Sequence, residues 1–177
     1  MATIDEIIKF LTDHHKVFYH FTDRRNLPGI RQHGILSMHA LRGGNISVPA
    51  PGGNQWSIDA DAYSGMDKYV HLCFFDSHPM EWTAKKDGRI QETLFLRVSP
   101  EVLRIPGTVV TDVVSNSSEC KPLAIESGFE GLDLEVIYTN TDWSNATVKE
   151  RLKIAKKYEL LVPNQVLVNY ISNLPNG

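Results

Sequence analysis

The chain has 177 residues, of which 42% are hydrophobic and 22% charged. That suits one domain with a sizeable core and an ordinary globular class. With 18 basic against 21 acidic side chains and a net charge of -3, no global field favours nucleic acid, so a polynucleotide partner has to meet a local patch.

The two cysteines, Cys73 and Cys120, are too few for a disulfide framework and fit a reducing compartment. No Cys/His cluster has zinc spacing, so no metal is expected. The N-terminus lacks a basic, apolar signal segment, and no run approaches about 18 apolar residues. A soluble, cytoplasmic protein without membrane attachment is expected.

Thr3 and Glu6 match a capping box, and Ile4, Ile7, Ile8 and Leu11 follow at helical spacing. A helix over residues 4–14 is predicted. Residues 16–21 (KVFYHF) read as a strand. Pro28 suits the first turn of a short helix, and Gly34 suits the position just past its end. His20, at the end of the strand, is either a satisfied core histidine or a group that binds a ribose hydroxyl or an amide.

Residues 42–57 hold four glycines and two prolines. They read as a long loop, either a binding loop or a flexible insertion, and match no known phosphate-loop pattern. Trp56 is expected to pack on something. Residues 67–75 (DKYVHLCFF) form the clearest central strand. Val70, Leu72 and Phe74 share an apolar face, whereas Tyr69, His71, Cys73 and Phe75 share a mixed face suited to a cleft wall. A turn and short helix at 76–82 and a strand at 90–98 follow. One helical turn at 99–103 and a strand at 108–114 come next.

Residues 132–138 are ambiguous between helix and strand. After a loop at 139–145, Thr147 and Glu150 suggest a second capping box, with a helix running to about Ala155. Lys149, Arg151, Lys153, Lys156 and Lys157 make one local basic run, by default a solvated helix face. Next comes Tyr158-Glu159-Leu160-Leu161-Val162-Pro163. One carboxylate stands in an apolar strand closed by proline. It is either an edge-strand charge or a group aimed into a cleft, because a buried unpaired carboxylate is costly. Residues 166–171 are also strand-like. No repeat or domain boundary appears, so one domain over 1–177 is expected.

Four stretches resemble one family. Tyr19-His20-Phe21-Thr22, Asn26-Leu27 and Gly34-Ile35-Leu36-Ser37 resemble the opening motif of many ADP-ribosyltransferases. Residues 66–72 with His78-Pro79-Met80 resemble the "dYVpF…PM" segment of the DarT-like group. Thr111-Asp112 to Asn116 resembles "SDxNA". Residues 157–163 (KYELLVP) resemble "RqAEvLVP", which carries that family's catalytic glutamate. The order is right, and the resemblance covers nearly the whole chain.

The resemblance implies an α+β fold: an ADP-ribosyltransferase-like split antiparallel β-sheet core around an NAD cleft, with peripheral helices. It implies NAD as a consumed co-substrate and a nucleic-acid base as acceptor, with single-stranded DNA favoured. It implies a toxin or defence effector with a neutralising antitoxin partner. Glu159 would be catalytic. His20, Phe21, Thr22, Asn26, Leu27, Gly34 and Tyr69 would bind NAD. His78, Trp143, Lys156 and Tyr158 would serve the acceptor, with the loop at 139–157 presenting it. The segment matching Gln55 to Asp59 lacks the arginine typical of the family, and Arg42 stands upstream as the candidate substitute. Two other readings compete: a non-catalytic NAD- or nucleotide-binding module, and an NAD-dependent RNA 2′-phosphotransferase. The second relies on a set of arginines and histidines gripping phosphate, which is not found here.

Overall fold

The computed structural model describes residues 2–139 and 142–175, leaving aside the side chain of Gln55. Asn140 and Thr141, in the loop expected to present the acceptor, therefore lie outside the described residues.

Helix α1 (Ile4–Asp13) starts as the sequence predicts. Thr3 accepts the Glu6 N–H, and the Glu6 carboxylate accepts the Thr3 N–H at 2.8 Å. Its stripe of Ile7, Ile8 and Leu11 is buried, which stabilises by about 1.5–3 kcal/mol per side chain. Strand β1 (Phe18–Asp23) leads to α2 (Leu27–His33), with Pro28 in its first turn and Gly34 as its cap. β2 (Ile35–Leu36) and α3 (Met38–Gly43) follow.

The glycine-rich stretch is shorter than expected, because α3 runs to Gly43 and α4 (Gln55–Ser64) starts at Gln55, capped by Asn54. Trp56, expected to pack, is 68% exposed. It lies in the first turn of α4 and not in the loop. β3 (Tyr69–Cys73), α5 (Pro79–Lys86), β4 (Thr93–Val98), β5 (Val109–Thr111) and β6 (Leu123–Ala124) come next. α6 (Ile125–Gly131) and α7 (Leu134–Tyr138) follow, so the ambiguous segment is helical, capped by Asp133. α8 (Ala146–Ala155) is capped by Asn145, not by Thr147. The Asn145 Oδ1 accepts the Thr147 N–H at 2.8 Å, which places Thr147 inside the helix. β7 (Glu159–Pro163) and β8 (Gln165–Val166) end the strands. Residues 168–170 turn as a short 3-10 helix where extended chain was expected.

Six strands form one sheet in the order β4-β1-β3-β7-β5-β6, every neighbouring pair antiparallel, and β2 pairs with β8 in a separate ribbon. The sheet is split. β1 follows β4 over six positions and β3 follows β7 over five, but β1 and β3 register at Tyr19↔Cys73 alone. Val70, Leu72, Leu160 and Val162 pack into the core with Phe18 and Leu96, beside α1. The opposite face of β3 and β7, carrying His71, Cys73 and Glu159, opens at the split.

Gly34 holds the two-stranded ribbon against α2. Its φ is +72°, and an added Cβ would lie 2.3 Å from the Val166 carbonyl oxygen. Both the left-handed backbone and the backbone overlap oppose any side chain. Gly34→Ala is expected to cost about 2–4 kcal/mol, read as a lowered urea midpoint with an unchanged slope.

Candidate active site

A cleft of about 440 Å³ opens along the split, within the range for a nucleotide-sized ligand. His20, Phe21, Thr22, Asn26, Gly34, Tyr69, His78 and Glu159 all line it. They come from β1, α2, β3, the start of α5 and β7, so the split gathers residues far apart in sequence.

Glu159 is 6% exposed and sits between β3 and β5, opposite Cys73 and Thr111. It belongs to a central strand, and the edge-charge reading falls. Its Oε2 accepts the Ser115 N–H at 2.8 Å and lies 3.7 Å from Nδ1 of His71. Its Oε1 lies 3.7 Å from Nε2 of His78.

The histidines are fixed by backbone partners. His71 Nε2 lies 3.1 Å from the Met66 carbonyl oxygen, so that nitrogen donates. Its Nδ1 lies 3.0 Å from the Ser115 hydroxyl. Burial alone would lower the His71 pKa, but the Glu159 carboxylate outweighs it and holds the ring up to about 9. The pair is therefore imidazolium and carboxylate. Burial pushes Glu159 up, His71 and His78 pull it down, and the net direction is downward. His20 donates from Nδ1 to the His71 carbonyl at 3.2 Å, which leaves Nε2 as an acceptor facing the cleft. Burial lowers His20 to about 4. Burial, then Glu159, raise the Cys73 thiol, which excludes a thiolate nucleophile there.

These two histidines set a stability optimum. Their ordinary value is 6.5. Below it, unfolded His20 takes a proton that folded His20 refuses, so stability falls as the pH drops toward 4. Above it, unfolded His71 releases a proton that folded His71 keeps, so stability falls as the pH rises through 9. The melting temperature is expected to peak near neutrality and drop by several degrees at about pH 9. His71→Gln is expected to abolish the loss around pH 9 and to bring in one at lower pH, as burial pushes up the Glu159 carboxyl that His71 no longer holds down, which melting curves across pH will test.

Other predicted site residues lie elsewhere or are committed. Asn26 donates to Thr22 and to the Ala50 carbonyl and accepts the Ala50 N–H at 3.0 Å. It clamps the cleft-lining loop and has no free amide for a ligand. Leu27 is 2% exposed and buried in the core. Arg42 is exposed and does not itself line the cleft, but it is paired with Asp67, which does. Tyr158 packs edge-on against Phe74 in the core, with ring centroids 6.3 Å apart. Trp143 and Lys156 do not line the cleft. The basic run is partly neutralised: Arg151 forks onto Asp133 at 2.6 and 2.7 Å and reaches Glu135, and Lys153 pairs with Glu150.

Among the described Arg and Lys residues, Arg25 alone lines the cleft, and its guanidinium is bound to Asp23. The positive charge beside Glu159 is therefore His71. Sequence reasoning placed His71 on the cleft face but gave it no role, and it overlooked Ser115. The signal available was a histidine on the mixed face of an otherwise apolar strand.

The arrangement offers the buried Glu159 carboxylate, a His78 Nε2 with no hydrogen-bond partner among the described residues, and a mostly apolar lining. These fit a ribose and its leaving base. None of the curated proteins matches the sequence closely enough to count as a relative. Solved structures do match the fold. Thermosipho africanus DarTG in complex with ADP-ribose matches with a TM-score of 0.66 at 17% identity, covering 89% of this chain and 43% of that one. The chain thus spans less than half of that protein. Thermus sp. 2.9 DarT in complex with ADP-ribosylated ssDNA matches with a TM-score of 0.64 at 20% identity, covering 88% of this chain and 78% of that one. The same Thermus protein with NAD+ matches with a TM-score of 0.57 at 22% identity, covering 89% and 79%. At these identities the likeness shows the fold. The model of the family described as ssDNA thymidine ADP-ribosyltransferase, DarT, matches residues 19–174, and the chain belongs to that family.

Proposed function

We propose that this chain transfers ADP-ribose from NAD to a thymidine base of single-stranded DNA and releases nicotinamide. The observation that carries the reading is Glu159: a buried, ionised carboxylate with Oε2 tethered to Ser115 and Oε1 facing His78 in the cleft.

The bond from C1″ of the ribose to nicotinamide breaks, and nicotinamide leaves with the bonding pair. C1″ becomes oxocarbenium-like, and Glu159 stabilises that charge and holds the 2″-hydroxyl. N1 of thymidine already carries its sugar, so N3 is the ring nitrogen with a proton to exchange. N3 bonds to C1″, and its proton ends in solvent. Nicotinamide needs no protonation to depart, so one carboxylate suffices where glycosidases use two.

His20 takes a ribose hydroxyl at Nε2, Tyr69 lines the nicotinamide side, and the Phe21–Thr22 backbone holds the amide. Among the described residues no group of three or more side chains is placed to hold a metal, and this chemistry calls for none. No helix among the described residues is long and apolar enough to cross a membrane. Both substrates are intracellular, so the enzyme works in the cytoplasm. A DNA adduct blocks copying, so the activity is that of a toxin or defence effector, and a neutralising antitoxin is its natural partner.

Nicotinamide release measured with oligonucleotides tests the reading. Release is expected with thymidine-containing single strands and is expected to fall at least tenfold when every thymidine is replaced by cytidine. Equal release without thymidine would overturn the acceptor.

A further inference from the structure

The loop between α3 and α4 forms one wall of the cleft, and each residue from 46 to 53 lines it. The loop carries no helix or strand. Its course therefore has to be set by groups outside it.

Two side chains grip its backbone. Asn26 holds Ala50 through both the Ala50 N–H and the Ala50 carbonyl. Pro49 and Pro51 have no N–H to give, so Ala50 is the point in that run where a two-bond grip is open. Two residues on, Arg89 donates from Nη1 to the Gly52 carbonyl. Here the loop lies on the Phe21 ring: a Cβ on Gly52 would come 3.0 Å from Phe21 Cε2.

Arg89 stands on a rigid post just past the end of α5. Its N–H donates to the Ala84 carbonyl at 3.0 Å, and its carbonyl accepts Nη2 of Arg25 at 3.1 Å. Ile90, next along, is buried. The buried Asp23 carboxylate accepts the Gln91 and Glu92 N–H groups at 2.7 and 3.2 Å and binds the Arg25 guanidinium. The post is thus tied to the end of β1, the strand that carries His20, Phe21 and Thr22. The Arg89 side chain is 18% exposed, and its Nη2 reaches Oδ2 of Asp87 at 3.1 Å. It does not itself line the cleft.

We propose that Arg89 is a positioning residue for NAD: it fixes the 46–53 wall against the Phe21 ring before NAD arrives, without touching NAD. This rests on the ADP-ribosyl-transfer reading, which supplies the ligand. A wall already in place spares NAD the cost of ordering it, and so tightens binding. Glu159 hangs from β7, which the tether does not reach. The rate of the bound complex is therefore left alone. The tether is one carbonyl met by one N–H on a long stem. Lysine serves there, whereas methionine, of similar length but without a donor, does not.

The test compares wild type with Arg89→Met and Arg89→Lys. NAD is titrated calorimetrically without DNA, and nicotinamide release is followed with a thymidine oligonucleotide. Arg89→Met is expected to weaken NAD binding about 10-fold and to raise its KM alike, with kcat within about twofold. Arg89→Lys is expected to stay within about threefold of wild type in all three. Amide exchange in the 46–53 loop is expected to quicken in Arg89→Met and to return to the wild-type rate when NAD is saturating.

NAD binding within about threefold of wild type in Arg89→Met would overturn the tether, and so would an equal loss in both variants. A fall in kcat at unchanged KM, which a fixed wall does not cause, would overturn it as well. A wild type that neither binds NAD nor releases nicotinamide would overturn the ADP-ribosyl-transfer reading instead, which keeps the two failures apart.

Discussion

Glu159→Gln is expected to lower nicotinamide release at least about 1,000-fold while leaving the melting temperature within a few degrees. The amide matches the carboxylate in shape, and its oxygen can still accept the Ser115 N–H that Oε2 accepts now at 2.8 Å. The charge is what disappears. Without it, nothing on β7 offsets the positive charge growing at C1″ as nicotinamide leaves. Fixed charge aimed at a developing charge in a dry site is commonly the largest catalytic effect, worth several kcal/mol. His71 also loses its counterion, and burial then favours its neutral form. Nicotinamide release with a thymidine oligonucleotide, alongside circular-dichroism melts, reads both quantities. A folded variant retaining a tenth of the wild-type rate would remove Glu159 from the catalytic role.

Much of the frame is written locally. The Thr3–Glu6 capping box, the Ile7-Ile8-Leu11 stripe, Pro28 and the strand of alternating faces at 69–73 are short-range signals, and each appears where the pattern puts it. The expected family, its α+β fold and its split sheet are likewise found. The state of the glutamate is not local. A lone acid in an apolar run reads as an edge charge until its neighbours are known. The strands flanking β7 are β3 and β5, which lie far upstream. His71, Ser115 and Glu159 meet only when three separate segments close up, and no periodicity reports such a meeting.

Arg42 shows the reverse limit. A sequence counts its charge but does not show Asp67 taking it. Tyr158 and Leu27 are themselves motif positions yet face the core, because alternation along a strand and turning along a helix send neighbours to opposite sides.

Replacing His71 by leucine is expected to cut nicotinamide release about 100-fold near pH 6, with partial recovery as the pH rises. Two opposed forces act on Glu159. Burial raises its pKa, and His71, with His78 and the Ser115 N–H, lowers it; at present the lowering wins. Leucine keeps the bulk and removes the charge, so burial dominates and the acid titrates upward. The protonated acid offers the developing charge nothing, so the rate follows the ionised fraction, which is smallest at the acid end of the profile. In the wild type the rate is expected to be level from about pH 6 to about pH 8, since Glu159 stays ionised throughout. In the variant it should climb with pH over that interval. A purely structural effect would scale the whole profile down without tilting it, so the slope and not the loss decides. The leucine also leaves the Met66 carbonyl and the Ser115 hydroxyl without their histidine partner. A stability loss of about 1–3 kcal/mol is therefore expected beside the kinetic one, and denaturant titration separates the two. His71 acts through Glu159 as a positioning residue: it keeps the carboxylate charged in a place where burial would otherwise protonate it.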